Sequence, residues 1–335
     1  MIRILSSDLT FLGVLSNYES FRFQRVLRGA GDFELIVADG KVGTEHLQLG
    51  NILVINGTFA GFIVERELLQ DSEVRELILR GFSLEVVLSY RRVLENLTEA
   101  ESETISKMLV NGACVNATNA DRNFQNFMIE PTQNRGTVAS VESDFERLDA
   151  VLERVLAVDD FGYMVYIDSN EFVFDIIEPR DLTSSVQFSN TLYNLYEARQ
   201  VLSEANFRNA LYIQGETDAY EVAIDSPVGF HRREEVVFEQ NIDNSAVAID
   251  YGTQVLRGRF YKTDSIEAQI RVVGNPYTLG VDYDLGDFVT VRFGGTIYQV
   301  QVSMIEITQN QEGQNIDLGF GKIRRTFREI MRDRS

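Results

Sequence analysis

The 335-residue chain has no tryptophan, one cysteine, two histidines and four prolines, and its 31 lysines and arginines are outnumbered by 51 acids. Each scarcity excludes something. With Cys114 alone, no intrachain disulfide can form and no Cys-rich zinc site can be built. Cys114 reads as a buried small apolar side chain, with a reactive thiol as the alternative. His46 and His231 stand in no His-Glu-x-x-His frame, so a zinc-peptidase helix is excluded. Few prolines and 24% charged residues argue against disorder. No apolar run approaches the roughly 20 residues of a membrane-spanning helix. The opening MIRILSSDLTFLG lacks a basic leader, apolar stretch and cleavage site in succession. The sequons at Asn56, Asn96 and Asn116 therefore carry no expected glycan. A net charge of −20 disfavours binding to phosphate backbones, while it would let a passing polyanion slide without sticking.

Chemical signatures are also missing. There is no Gly-x-Ser-x-Gly elbow, Gly81-Phe82-Ser83 being only a fragment of one. No P-loop or dinucleotide fingerprint occurs, and Gly319-Phe320-Gly321 lacks the third glycine. Asp282, Asp284 and Asp287 resemble a calcium loop, but Gly286 precedes Asp287 and breaks its register, leaving a polar hairpin entry as the plainer reading. His231-Arg232-Arg233 is offset by Glu234 and Glu235, which fits a salt-bridged strand start better than a phosphate site. Among 51 acids some close pairs are inevitable, and none can be placed across a cleft as glycosidase chemistry requires. No catalytic residue, cofactor or metal site is expected.

What the chain does contain is a repeat. Residues 285–321 open with Leu-Gly-Asp, run through an apolar stretch at 288–291, turn at Gly294-Gly295, and continue through strand-like runs at 297–308 and 315–318. Residues 49–81 do the same, from Leu-Gly-Asn through 52–55, a turn at Asn56-Gly57, and runs at 59–69 and 74–79. Each reads as a three-stranded meander with turn residues where hairpins need positive φ. Two distant copies of one antiparallel unit predict two related β-barrel-like domains.

Along the chain, residues 1–92 read mainly as strands and form the first barrel domain, ending in one or two helical turns that Ser83 would cap. Residues 93–180 read as an inserted α/β domain. Capping boxes at Thr98/Glu101 and Ser143/Glu146 would open two helices, Asn111-Gly112 would stop the first, and 162–167 and 172–177 would pair as a hairpin. Residues 181–240 and 277–321 make the second barrel, with part of 181–240 able to complete the first. Residues 241–276 make a small inserted domain with a helix. The predicted class is mainly β with α/β insertions.

Residues 322–335 form a basic C-terminal helix, with Ile323, Phe327, Ile330 and Met331 on one face and Arg324, Arg325, Arg328, Arg332 and Arg334 concentrating positive charge. Its apolar side would dock on the barrel, or Arg324, Arg325, Phe327 and Arg328 would contact an acidic neighbouring subunit.

Several pieces in order carry a resemblance to a known family: residues 29–35 (GAGDFEL), 60–63 (AGFI), 79–82 (LRGF) leading to Tyr90-Arg91-Arg92, and Phe174 to Arg180-Asp181-Leu182-Thr183. Phe188 to Asn194-Leu195, residues 209–216 (NALYIQGE), Arg232-Arg233-Glu234 and residues 283–289 (YDLGDFV) complete it. Over essentially its full length the chain resembles the tail-tip or baseplate hub (tail-associated protein) of long-tailed phages and prophages of Gram-positive bacteria, and more distantly the hubs of contractile tails. The resemblance implies two tandem tail-tube-like barrels per chain, two smaller inserted domains, and a homotrimer that adapts a sixfold tail tube or distal tail protein to a threefold tip. It implies further partners in a downstream tip, fibre or spike protein, DNA passing without specific binding, no membrane insertion, and location at the virion tail tip after assembly in the host cytoplasm. Structural work rather than turnover is expected. A tail-associated cell-wall hydrolase is the alternative. A carbohydrate-binding module built on Tyr193, Tyr196, Tyr251 and Tyr261 is another, weakened by the missing tryptophan.

Overall fold

The computed structural model describes residues 1–55, 59–70, 75–142, 145–215, 218–239, 242, 244–270, 274–311 and 313–321. Two compact units result: Met1–Ala198 with Glu267–Gly321, and Arg199–Ile266.

In chain order the first unit contains β1 (Ile2–Leu5), β2 (Phe11–Leu15), β3 (Ser20–Val26), β4 (Asp32–Ala38), β5 (Ile52–Ile55), β6 (Phe59–Gln70), β7 (Arg75–Ser83) and α1 (Val86–Ser89). There follow β8 (Leu97–Glu101), α2 (Ser102–Val110), β9 (Phe127–Ile129), β10 (Val138–Val141), α3 (Leu148–Leu156), β11 (Gly162–Asp168), β12 (Glu171–Ile177) and β13 (Gln187–Ser189). After β14 (Leu195–Ser203) the chain enters the second unit with β15 (Ala210–Gln214), β16 (Ala219–Ala223), β17 (Glu234–Phe238) and α4 (Ser245–Gly258). It returns through β18 (Thr263–Ile270) to β19 (Phe288–Phe293), β20 (Thr296–Asn310) and β21 (Gly313–Gly321).

Period-two patterning builds the main sheet. In β3 and β4, Phe21, Phe23, Phe33, Leu35 and Val37 are buried, and the residues between them face the other way. The sheet runs β14-β18-β21-β20-β3-β4-β7-β6-β5-β1-β2, and β19 pairs both β20 and β13. Its core gathers Ile2, Ile4, Leu15, Phe23, Phe33, Leu35, Leu77 and Leu79. Each such side chain contributes about 1.5–3 kcal/mol by leaving water. The chain is therefore mainly β with its helices in the connecting segments, as the sequence predicts, and both predicted meanders exist: β5-β6-β7 and β19-β20-β21 are antiparallel throughout.

Between β7 and β13 the chain packs α2 and α3 with the sheets β10-β8 and β11-β12-β9. Leu148, Val151, Leu152, Val155 and Leu156 of α3 are all buried, which is the amphipathic stripe visible in the sequence. Their cluster also takes in Leu5, Ile52, Val54 and Ala60, so the β1-β5-β6 corner is covered on its second face. The hairpin β11–β12 closes over Ser169 and Asn170, both at positive φ (46° and 68°), the backbone a two-residue type I′ turn demands.

Local helix signals fared worse than strand signals. Ser83 ends β7 and caps nothing; its Oγ accepts from Gly31 N at 3.0 Å. Residues 97–101 pair with β10 as a strand, so the first helix starts at Ser102 rather than at a Thr98/Glu101 box. The helix does not stop at Asn111-Gly112 but widens there into a π turn, Asn111–Val115. The next helix starts at Leu148 after Arg147 with no side-chain cap, and Ser143 lies outside the described residues.

In the second unit α4 packs on the sheet β16-β15-β17 around Leu211, Ile213, Val222, Ala248 and Leu256. Asn244 caps this helix, its side chain accepting from Ala246 N and Val247 N at 3.0 Å each.

Candidate functional site

The sequence repeat is reproduced at the level of single hydrogen bonds. Gly50 and Gly286 both adopt positive φ (82° and 96°). Gly50 N donates to Ile63 O at 2.8 Å and Ile63 N to Asn51 O at 2.9 Å. In the second copy Gly286 N donates to Val302 O and Val302 N to Asp287 O, both at 2.8 Å. One residue further on, each long strand carries a one-residue bulge, at Val64 in β6 and Ser303 in β20.

The equivalence extends beyond the meanders. The order β3-β4-β7-β6-β5-β1 matches β14-β18-β21-β20-β19-β13, strand for strand. In the first half residues 27–31 close the β3–β4 turn, and in the second half the chain between β14 and β18 holds β15, β16, β17 and α4. Only the last partner differs in sense, since β1 meets β5 antiparallel and β13 meets β19 parallel. The halves are joined where residues 304–310 of β20 pair antiparallel with residues 20–26 of β3.

Opposite the aromatic core, this joined sheet presents a charged face. Strand register places Asp317 beside Glu306, Glu306 beside Gln24, Arg22 beside Glu34, Glu34 beside Arg80, and Arg80 beside Glu65. Arg80 Nε donates to Glu34 at 2.8 Å and its other nitrogens reach Glu65 at 2.5 Å and Glu67 at 3.1 Å. Arg22 bridges Asp32 and Glu306, the latter at 3.2 Å. Hydrogen bonds from Glu34, Glu65 and Glu67 push the Arg80 guanidinium pKa further up. With Glu76 on the same side, seven acids (Asp32, Glu34, Glu65, Glu67, Glu76, Glu306, Asp317) share the face with the arginines Arg22 and Arg80. The face is strongly acidic and spans six strands of both halves.

The pieces that carried the family resemblance meet in space. The Phe33 ring lies over two strand glycines: a Cβ on Gly81 would sit 2.5 Å from the ring and 2.0 Å from Phe62 O, and one on Gly61 would sit 2.9 Å from the ring. Phe33, Gly61 and Gly81 come from three of the quoted stretches. Asp287 accepts from Arg180 Nε at 2.8 Å and Asp284 N at 2.7 Å. Phe188 packs edge-on to Tyr283 at 5.1 Å between centroids. Buried Asn194 ties the chain back, accepting from Ser189 N and donating to Gln187 O, both at 2.9 Å. In the second unit Asn209 donates to His231 O at 2.9 Å and accepts from Arg233 N at 2.8 Å. These residues are anchors of loops and strand ends.

Nothing among the described residues assembles a reaction centre. Asp282 accepts from Thr278 N, Asp284 accepts from Leu285 N and pairs with Arg25, and Asp287 is held by Arg180, so the three carboxylates do not converge. No group of three metal-ligating side chains is found among the described residues. Burial pushes the Cys114 thiol up to about 12, which leaves no reactive thiolate. Buried Glu103 is opposed by desolvation, but hydrogen bonds from Arg135 and Lys107 outweigh it and hold the carboxyl at about 2. It is a permanently ionised structural centre. Arg232 and Arg233 are occupied by Glu221 and Glu234 and by Glu204. Tyr193 is exposed, whereas Tyr251 packs against the second unit's core. Arg324, Arg325, Phe327 and Arg328 lie outside the described residues.

Residues 1–322 match the sequence profile of the Siphovirus ReqiPepy6 Gp37-like protein family. The chain belongs to this family. Among solved structures, the 43 kDa tail protein of prophage MuSo2 from Shewanella oneidensis is similar with a TM-score of 0.62 at 11% identity, covering 96% of this chain and 98% of that one. Prophage tail protein gp18 from Listeria monocytogenes gives 0.54 at 14% identity over 99% and 97%. The E. coli c3393 protein, described as a type VI secretion component similar to T4 tail proteins gp27 and gp5, gives 0.50 at 9% over 98% and 78%. At these identities the likeness is one of fold, and the Gp37-like chain shares the fold of prophage tail proteins. No curated protein sequence matches it.

Proposed function

We propose that this Gp37-like protein is a structural hub of a phage tail tip or baseplate, acting as a homotrimer rather than as an enzyme. The observation that carries the reading is the strand-for-strand duplication in one sheet. Three chains would present six similar halves to a sixfold tube or distal tail protein while offering threefold symmetry to the next tip, fibre or spike protein. Each half would serve as one tube-like barrel domain, with residues 93–180 and 241–276 as insertions.

The acidic face fits the wall of a DNA channel. Three chains carry about −60 in total, three times −20. Carboxylates concentrated on one sheet face would repel the phosphate backbone and let DNA pass without binding. The basic segment holding Arg324, Arg325, Phe327 and Arg328 would contact an acidic neighbouring subunit. Assembly would take place in the host cytoplasm, and the mature location would be the virion tail tip.

Electron microscopy of the purified chain and of tails containing it tests the proposal. A threefold ring with six similar lobes and a carboxylate-lined lumen is the expected result. A chain that stays outside the tail axis, or a ring with a basic lumen, would overturn it.

A further inference from the structure

The duplication leaves one strand edge and one terminal strand without the partners that their equivalents have. In the second half, β20 pairs β19 over residues 296–301, passes its bulge at Ser303, and then offers the same edge to β3 over residues 304–310. In the first half, β6 pairs β5 over residues 59–62 and passes its bulge at Val64. From there to Gln70 its β5-side edge meets no strand among the described residues, and residues 64–70 are all exposed. The second vacancy is complementary. Strand β3 pairs β4 on one side and β20 on the other, whereas its equivalent β14 pairs β18 alone and ends the sheet.

We infer that residues 64–70 of β6 take β14 of a second copy of this chain, antiparallel, repeating between subunits the β20–β3 contact made within one. The inference rests on the hub reading and supplies its subunit contact. The two bulges do equivalent work: each bends the strand away from its first partner and frees the edge for the next. Because the contact joins different edges, it is head-to-tail and propagates until a ring closes. An open edge of this length is a template for pairing with any strand, and the charges of Glu65, Arg66 and Glu67 oppose indiscriminate partners.

Cysteine pairing tests this in the full chain, where native Cys114 is buried and unreactive. Glu67→Cys is combined in turn with Ala198→Cys, Arg199→Cys, Gln200→Cys and Val201→Cys, both in purified protein and in assembled tails. One register is expected to bring the α-carbons within about 4.4–6.8 Å and give covalent dimers and trimers, while the single variants give none. In parallel, amide exchange across residues 64–70 is expected to slow on assembly toward the rates of residues 304–310. If the chain assembles but no pair cross-links and these amides exchange as fast as in the monomer, the edge contact is wrong and the hub reading stands. If the chain self-associates neither in solution nor on tails, both fall.

Discussion

Arg180 and Asp287 form a two-pronged ion pair across 107 residues of sequence, with Arg180 Nε 2.8 Å from Asp287 Oδ1. Asp287 is buried and also accepts from the backbone of Asp284. The pair starts a zipper. Phe288 N donates to Arg180 O, Leu182 N to Phe288 O, and Thr290 N to Val186 O, so residues 180–189 are laid along β19. Asp287→Ala should lower unfolding stability by about 2–3 kcal/mol, because it removes a charged acceptor from several donors at once. Urea unfolding of the full chain checks this. A loss no larger than that of an exposed ion pair would mean that the zipper holds without its clasp.

Phe33 should tolerate no side chain beneath it. At Gly81 a Cβ would meet Phe62 O at 2.0 Å and the Phe33 ring at 2.5 Å. Gly81→Ala is therefore expected to cost about 1–3 kcal/mol or more through backbone displacement. Gly40→Ala is the control for crowding, since nothing lies within 4 Å there, although its positive φ of 78° carries its own strain. Thermal melts of the two variants should separate packing from backbone conformation.

The Glu103 centre predicts a pH dependence of defined sign. Its carboxyl is held at about 2 in the folded chain against an ordinary 4.5, so the folded state favours the ionised form. The stability that it contributes is fully present above about pH 4.5 and is lost as pH falls toward 2. The stability gap between the parent chain and Glu103→Gln should thus be widest near neutrality and close between pH 4.5 and 2. A gap that stays constant over this range would rule out ionisation as its source.

Charge on the acidic face should govern DNA passage more than folding. Its ion pairs are largely exposed, so replacing Glu65 and Glu67 by lysine should change stability by about 1 kcal/mol or less. The same variant in assembled tails is expected to slow or stall DNA ejection, with the defect relieved by salt as phosphate contacts are screened. Ejection at the parent rate at low salt would remove this face from the DNA path.

Reversal of Arg324 and Arg328 to glutamate should weaken self-assembly, measured by light scattering across a concentration series. Assembly at the parent concentration would leave the basic segment as a solvated face.

The strands were legible because their signal is local. Alternation in SFRFQRV and DFELIVA, and turn residues between apolar runs, specify β3, β4 and both meanders without reference to the rest of the chain. The misread helix signals share one cause. Thr98 and Glu101 have the spacing of a capping box, but pairing with β10 claims that backbone first. The acidic face was visible only as a net charge, since its members come from six strands. The wider duplication escaped the sequence because residues 27–31 separate β3 from β4, while residues 204–262 separate β14 from β18. Asp287 was read as a polar hairpin entry, and nothing nearby named Arg180 as its partner.

The paired bulges have a consequence for how this chain can change. Beyond Val64 and Ser303, every side chain lies on the face opposite to the one that an unbroken alternation would give it. Deleting either residue would turn Glu65 and Glu67, or Glu306, toward the interior and their apolar neighbours toward the carboxylate wall. Single side chains along these strands can drift, as the low identity between the halves attests, but the count of residues cannot. New length has entered where strands end, between β14 and β18 and after β7. The constraint that the two halves share is arithmetic more than chemical.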